Sequence, residues 1–282
     1  MTMAERSQPS ANYRSWPVIT ALTIVSLPLL LMYVYLFLDT VTVKQADALL
    51  PSGLTLSHWR FLWQTTEGKA NIWQVTVNTL LFAACTTSLV LIVSSMAGYV
   101  LSRLNVPARG FFLAGVMVLH AFPSVTLIIA IFIVLQMIGL YNSLIGVILV
   151  KAAIDLPLGI WLMKGFYDTV PWEIEMAGVV DGASRFRVWR SLVLPQVKPG
   201  IMALGLFSFL SGWGEFILPQ VLAPGNQVQV LSVYLAAFLA DDNNYDFNMF
   251  KAVGVFYLVP VLIVYALFNK YLMNIYGGGS KG

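Results

Sequence analysis

Two long stretches of this chain contain no Asp, Glu, Lys or Arg: Ala70 to Ser102 and Gly110 to Val150. A helix crosses the hydrocarbon core of a bilayer with about 20 apolar residues, and in lipid its backbone polar groups must be satisfied within the segment. Charge-free runs of this length predict membrane-spanning helices. Composition points the same way: 59% of the 282 residues are apolar and 10% are charged, against about 25% charged in an ordinary soluble domain. The net charge of +3 is too small and too scattered to suggest a nucleic-acid partner. Cys85 is the single cysteine, which excludes a disulfide framework within one chain, and neither His58 nor His120 has a ligand cluster around it, so no metal site is expected.

Reading outward from the gaps places six helices near Val18 to Leu38, Val75 to Leu101, Phe111 to Leu135, Leu144 to Met163, Pro199 to Val221 and Ala252 to Tyr271. The second gap divides at Ile138-Gly139-Leu140-Tyr141-Asn142-Ser143, where Gly, Asn and Ser supply turn chemistry. Pro123 and Pro157 are expected to bend their helices. The first span has the basic flank of a signal peptide but is too long for one and lacks a small-residue cleavage pattern, so it is read as retained. The expected organisation is an amino-terminal segment 1–17, a six-helix domain 18–272 and a tail 273–282. Eleven cations lie on one side: Arg6, Arg14, Arg103, Arg109, Lys164, Arg185, Arg187, Arg190, Lys198, Lys270 and Lys281. The positive-inside rule therefore puts both termini in the cytoplasm, and Trp59, Trp63 and Trp73 read as anchors at the outer interface.

The longest inner stretch, about 167–198, has its own periodicity. Pro171 opens a short helix with Glu173 and Glu175 at the positive end of its dipole, and Asp181-Gly182 breaks it. Ser184 can cap a second helix through Arg185 to Arg190, expected to end at Pro195. Two readings stand for this helix–turn–helix. It is either an interfacial hairpin held to lipid by Phe186, Trp189 and the arginines, or a docking knob whose Ala177, Gly178, Gly182 and Ala183 let another protein approach the backbone closely.

The residues also carry a resemblance. The run Pro171-Trp172-Glu173-Ile174-Glu175-Met176-Ala177-Gly178-Val179-Val180-Asp181-Gly182-Ala183-Ser184, followed by Leu192-Val193-Leu194-Pro195, resembles the EAA loop of permease subunits of binding-protein-dependent ABC importers. The spacing is met from Met176 to Pro195. Two residue types depart: Met176 stands at the family's leading Glu and Gly178 at its second Ala. Asn78-Thr79-Leu80, Ala97-Gly98-Tyr99, Ser102-Arg103-Leu104 and Trp213-Gly214-Glu215-Phe216 are similar to the carbohydrate-uptake branch. The end Gly278-Gly279-Ser280-Lys281-Gly282 is similar to the tail of the second permease subunit of the maltose importer.

The resemblance implies an all-α membrane protein with the six-helix type I importer permease fold, moving a sugar, oligosaccharide or polyol into a bacterial or archaeal cell by alternating access. It implies a second permease subunit, an extracytoplasmic substrate-binding protein and two cytoplasmic ATPases that carry ATP and magnesium, with no catalysis by this chain. The coupling residues it implies are Glu173, Glu175, Met176, Ala177, Gly178, Asp181, Gly182, Ala183, Leu194 and Pro195. Gly278, Gly279, Ser280, Lys281 and Gly282 would form a contact of the tail. Because Met176 offers only apolar packing, Glu173, one turn earlier on the same face, is expected to supply part of the missing charge.

The chain lacks a phosphate-binding Gly-x-x-x-x-Gly-Lys-Ser/Thr loop, so ATP must be handled by a partner. Glu215 lies inside the fifth expected span, where an ionisable group is costly. It lies, with Trp213, either near the translocation path or the interface between two permease subunits, or it is a structural carboxylate bonded to a neighbouring helix. Lys151 and Asp155, at i and i+4, can satisfy each other. The competing class, an ion-coupled secondary transporter or channel, predicts internal repeats, and none is evident.

Overall fold

The computed structural model describes residues 16–43, 53–65, 68–239 and 247–277, with side chains through 268. Two compact units divide between Trp59 and Arg60. In the first, α1 (Trp16–Thr40) contains the expected first span and Pro28. Its apolar side chains are exposed all round, the pattern of a helix whose solvent is lipid. Two short strands follow, β1 (Thr42–Val43) and β2 (Gly53–Leu54), paired antiparallel.

The second unit is built on α2 (Ile72–Arg103). Asn71 caps it, its side-chain oxygen accepting from the amides of Trp73 and Gln74. At 32 residues it is about 48 Å long, longer than a ~30 Å hydrocarbon core, so its ends project. It lies along α5 (Leu144–Asp168) and α9 (Lys198–Trp213). Lipid offers no hydrophobic drive to hold helices together, so close packing at small residues does it. A Cβ on Gly98 would lie 2.9 Å from the Met163 Cβ and the Lys164 nitrogen, and one on Gly159 would lie 2.4 Å from Ser94 Oγ. Ser94 faces Gly159 and Gly98 faces Met163, so α2 and α5 run in the same direction.

The third expected span is broken. α3 (Arg109–Ala121) and α4 (Ser124–Met137) meet at 95°. Pro123 is the reason: it has no amide to donate, and it drives Phe122 before it into an extended conformation. The turn into α5 forms where the sequence places it. Gly139 and Asn142 take positive φ of 71° and 54°, and Ser143 caps α5 through the Gly146 amide at 3.1 Å. α5 runs five residues beyond the expected Met163 and keeps Pro157 inside.

The fifth expected span is also interrupted. α9 stops at Trp213, Gly214-Glu215-Phe216 is not helical, and α10 (Ile217–Leu222) resumes. A continuous helix would place Pro219 in its interior, where its ring meets the carbonyl four residues back. α11 (Leu231–Leu239) and α12 (Phe247–Gly277) complete the unit, α12 containing the expected sixth span and Pro260. Among the described residues four helices, α1, α2, α5 and α12, are each long and apolar enough to cross a membrane, and two bent pairs, α3 with α4 and Arg185–Gln196 with α9, bring the number to as many as six.

The Asn78-Thr79 motif fastens the loop before α11. Asn78 donates to the Gln227 and Gln229 carbonyls at 2.9 and 3.0 Å, and Thr79 Oγ1 accepts from the Leu231 amide at 2.8 Å. Two apolar cores result. One, around Phe82, Val147, Ile148 and Leu222, lies at this end, and the other, around Val90, Ala152, Met163 and Tyr167, at the far end. Lys151 sits on α5 where the two cores meet.

Candidate functional site

The hairpin forms from α6 (Trp172–Val180) and a second arm. Asp181-Gly182 ends α6 as read: Gly182 has φ +80°, and the Ala183 amide donates back to the Gly178 carbonyl at 3.1 Å. Ser184 caps α7 (Arg185–Val188) through the Arg187 amide. The arm differs from expectation in its end. A π turn at Trp189–Val193 leads into α8 (Leu194–Gln196), so Pro195 sits in the first turn of a helix instead of stopping one. The π turn closes with the Leu194 amide donating to the Trp189 carbonyl, one residue before Pro195, which has no amide to donate. A bend of 75° then turns the arm into α9.

α6 has two unlike faces. Glu173, Met176, Ala177 and Val180, at i, i+3, i+4 and i+7, form one exposed stripe. Val180 is 84% exposed and Met176 36%. Asp181 and Gly182 continue this exposed surface, Pro195 is exposed on the second arm, and Ala183 and Leu194 are half-buried. Glu175 and Gly178, expected among the contact residues, instead turn inward. A Cβ on Gly178 would lie 2.6 Å from Leu192 Cδ1 and 3.0 Å from Val188 Cγ2, so its small size lets the two arms close. Glu175 is 3% exposed. Its Oε1 accepts from the Tyr99 hydroxyl at 2.7 Å, and its Oε2 lies 3.4 Å from Arg103 Nε as an ion pair without hydrogen-bond alignment.

Arg103 also donates to the carbonyls of Tyr167 and Val170, and its guanidinium lies 5.5 Å from the Trp172 ring centroid. Tyr167 shares a 2.8 Å hydrogen bond with Ser95 and accepts from Trp189 Nε1 at 3.1 Å. Tyr99, Arg103, Tyr167 and Trp189 have no place among the residues expected from the loop alone. The available signal was the Tyr99 and Arg103 pair, one turn apart at the carboxy-terminal end of α2.

The second grouping lies within the membrane. Lys151 Nζ is 3.1 Å from Asp155 Oδ1, 3.1 Å from Glu215 Oε2 and 2.8 Å from Ser211 Oγ. Lys151 and Asp155 pair as read, and Glu215 joins them. Glu215 Oε1 accepts from the Leu218 amide at 3.4 Å, so the carboxylate caps α10 where the helix is broken. Asp155 Oδ2 is buried without a hydrogen-bond partner among the described residues. Trp213 is 1% exposed, and it exchanges hydrogen bonds with Tyr257: its Nε1 donates to the Tyr257 carbonyl at 3.2 Å and the Tyr257 hydroxyl donates to its own at 3.0 Å. It thus joins α9 to α12 beside the charged group. The expected tail contact, Gly278 to Gly282, lies outside the described residues.

Several spans around small-residue contacts, charged groups within the bilayer and a short hairpin with an exposed stripe define a polytopic transport protein rather than a membrane anchor. Comparison with known proteins gives the family. Residues 90–274 match the model for the binding-protein-dependent transport system inner membrane component, and the chain belongs to that family. It is 31% identical over 261 residues to the diacetylchitobiose uptake system permease protein NgcG of Streptomyces coelicolor, covering 92% of this chain and 84% of that one. It is 26% identical over 268 residues to the maltodextrin transport system permease protein MalD of Streptococcus pneumoniae, covering 94% and 95%. Among solved structures, a bacterial ABC transporter involved in import of the acidic polysaccharide alginate matches with a TM-score of 0.75 at 23% identity, over 96% of this chain and 99% of that one. The protein is therefore an inner-membrane permease subunit of an ABC importer, a family in which ATP hydrolysis belongs to a separate subunit.

Proposed function

We propose that this chain is one of two permease subunits of an importer for a sugar, oligosaccharide or polyol, and that α6 is where a cytoplasmic ATPase seats. In this reading an extracytoplasmic binding protein delivers the substrate. Two ATPases close on ATP and magnesium, and their movement exchanges inward-open and outward-open arrangements through differential binding to the two states. The relatives named for diacetylchitobiose and maltodextrin uptake support the saccharide class. The observation that carries the ATPase seat is the exposed stripe of α6. Its Met176, Ala177 and Val180 offer apolar contact, and Glu173 on the same stripe offers charge in place of the family's Glu at position 176. Gly182 and Asp181 shape its end, while Ala183, Leu194 and Pro195 support it from the second arm. The Lys151, Asp155 and Glu215 group, backed by Trp213, is the candidate polar lining of the path.

Charge supports the orientation of this reading. Arg103, Arg109, Lys164, Arg185, Arg187, Arg190 and Lys198 all belong to the hairpin's end of the molecule, and the positive-inside rule favours an arrangement with the hairpin and both termini in the cytoplasm. The test is saccharide uptake into proteoliposomes holding the complex purified with its ATPases, with the binding protein outside. Uptake that requires internal ATP supports the reading. Uptake driven by an ion gradient without ATP overturns it.

A further inference from the structure

We infer that Tyr99, Arg103 and Glu175 form the joint through which movement of α6 reaches the membrane helices, with Glu175 as its positioning residue. The inference rests on the reading of α6 as the ATPase seat. With nine residues, α6 is shorter than the roughly 12–15 at which an isolated helix becomes even marginally stable, so its attachments decide what it moves.

Those attachments converge on one base. Glu175 reaches α2 through Tyr99 and Arg103, and the Trp172 ring lies over the same guanidinium. Arg103 in turn holds the Tyr167 and Val170 carbonyls at the end of α5. The second arm is tied to the same place, because Trp189 donates to the Tyr167 hydroxyl that also bonds Ser95 of α2. α2 and α5 cannot slide past each other freely, since the Gly98 and Gly159 contacts leave no room even for a methyl group. A push on α6 therefore displaces α2 and α5 together instead of being lost in the loop.

The two bonds of Glu175 differ in kind. The Tyr99 bond is directional and fixes where the carboxylate sits. The Arg103 contact is charge attraction without hydrogen-bond alignment, and it persists through small rocking of α6. The joint also accounts for the Ala97-Gly98-Tyr99 and Ser102-Arg103 motifs. Gly98 supplies the helix contact, Tyr99 and Arg103 the clasp, and Ser102 donates to Asp168 at 2.6 Å beside it.

The test uses the complete complex, purified with its own ATPases and second permease in nanodiscs, on a Cys85→Ala background. Spin labels replace Val93 on α2 and Val179 on α6, which are 41% and 40% exposed and off the docking stripe. The joint predicts a narrow distance that ATP with vanadate leaves unchanged. In Glu175→Ala the distribution broadens and shifts with ATP while hydrolysis continues. Glu175→Gln keeps an acceptor for Tyr99, falls between the two, and guards against a variant that fails to assemble. A parent distance that moves with ATP overturns the joint. So does a Glu175→Ala distance as narrow and fixed as the parent's, or a loss of assembled complex in both variants with no change in the molecules that do assemble. Cross-linking of a Met176→Cys variant to the ATPase separates the two levels. Its absence sinks the seat and the joint with it, whereas a cross-link beside a moving parent distance sinks the joint alone.

Discussion

The clasp at the carboxy-terminal end of α2 and the charged group on α5 each set a glutamate against a cation, and they are built differently. In the clasp, one carboxylate meets one guanidinium whose Nη2 holds two backbone carbonyls, so the charges balance one to one, although Glu175 Oε2 and Arg103 Nε make no hydrogen bond among the described residues. On α5, two carboxylates share a single ammonium, and Asp155 Oδ2 is left without a partner among the described residues. The first is a fastener. The second carries one more carboxylate than cation in the membrane, where an ionisable group is expensive, and that surplus is the ground for the proposal that it lines the path.

Substitutions can break this comparison. Lys151→Met should have the largest effect, since it removes a buried ammonium and strands two half-buried carboxylates. Removing one partner of a buried pair costs about 3–5 kcal/mol, to be read as a fall in the thermal unfolding midpoint of the purified complex. Glu175→Ala should cost less, about 1–3 kcal/mol, because Arg103 keeps its two carbonyls. If Glu175→Ala proves the more damaging to stability, the assignment of fastener and path must be redrawn.

Asp155→Asn sharpens the difference. It removes the surplus charge and leaves the ion pair of Lys151 with Glu215, so stability should change by under about 1 kcal/mol while saccharide uptake falls. Uptake at the parent's rate would make the group purely structural. Glu173→Lys comes last for stability, within about 0.5 kcal/mol as an exposed change. Its effect should appear as weaker, salt-dependent retention of the ATPase on purification, and unchanged retention would remove Glu173 from the seat.

Much of the architecture was legible because lipid forbids charge: the gaps marked the spans. Gly139, Asn142 and Ser143 marked the turn into α5, and Asp181-Gly182 and Ser184 marked the one between α6 and α7, through positive φ and capping alone. The breaks were less legible. Pro123 signals a bend but not one of 95°, and Pro219 acts several residues upstream of itself, at Glu215. The faces of α6 were least legible, because apolar residues surround the helix and only the packing of Gly178 on Leu192 and Val188 decides that Glu175 points in while Glu173 points out. Glu215 was missed as a partner of Lys151 because Asp155, one turn away, already answered the charge.

The central claim is that an ATPase bears directly on the outward stripe of α6. Site-specific cross-linking from Met176 and Val180, each replaced by cysteine on the Cys85→Ala background in membranes containing the whole complex, tests it most directly. The account predicts cross-links to the ATPase from both positions and none from Cys at Ile174, which packs against the core on the other face of α6. Cross-links to lipid alone, or labelling of these positions from outside the cell, would contradict it.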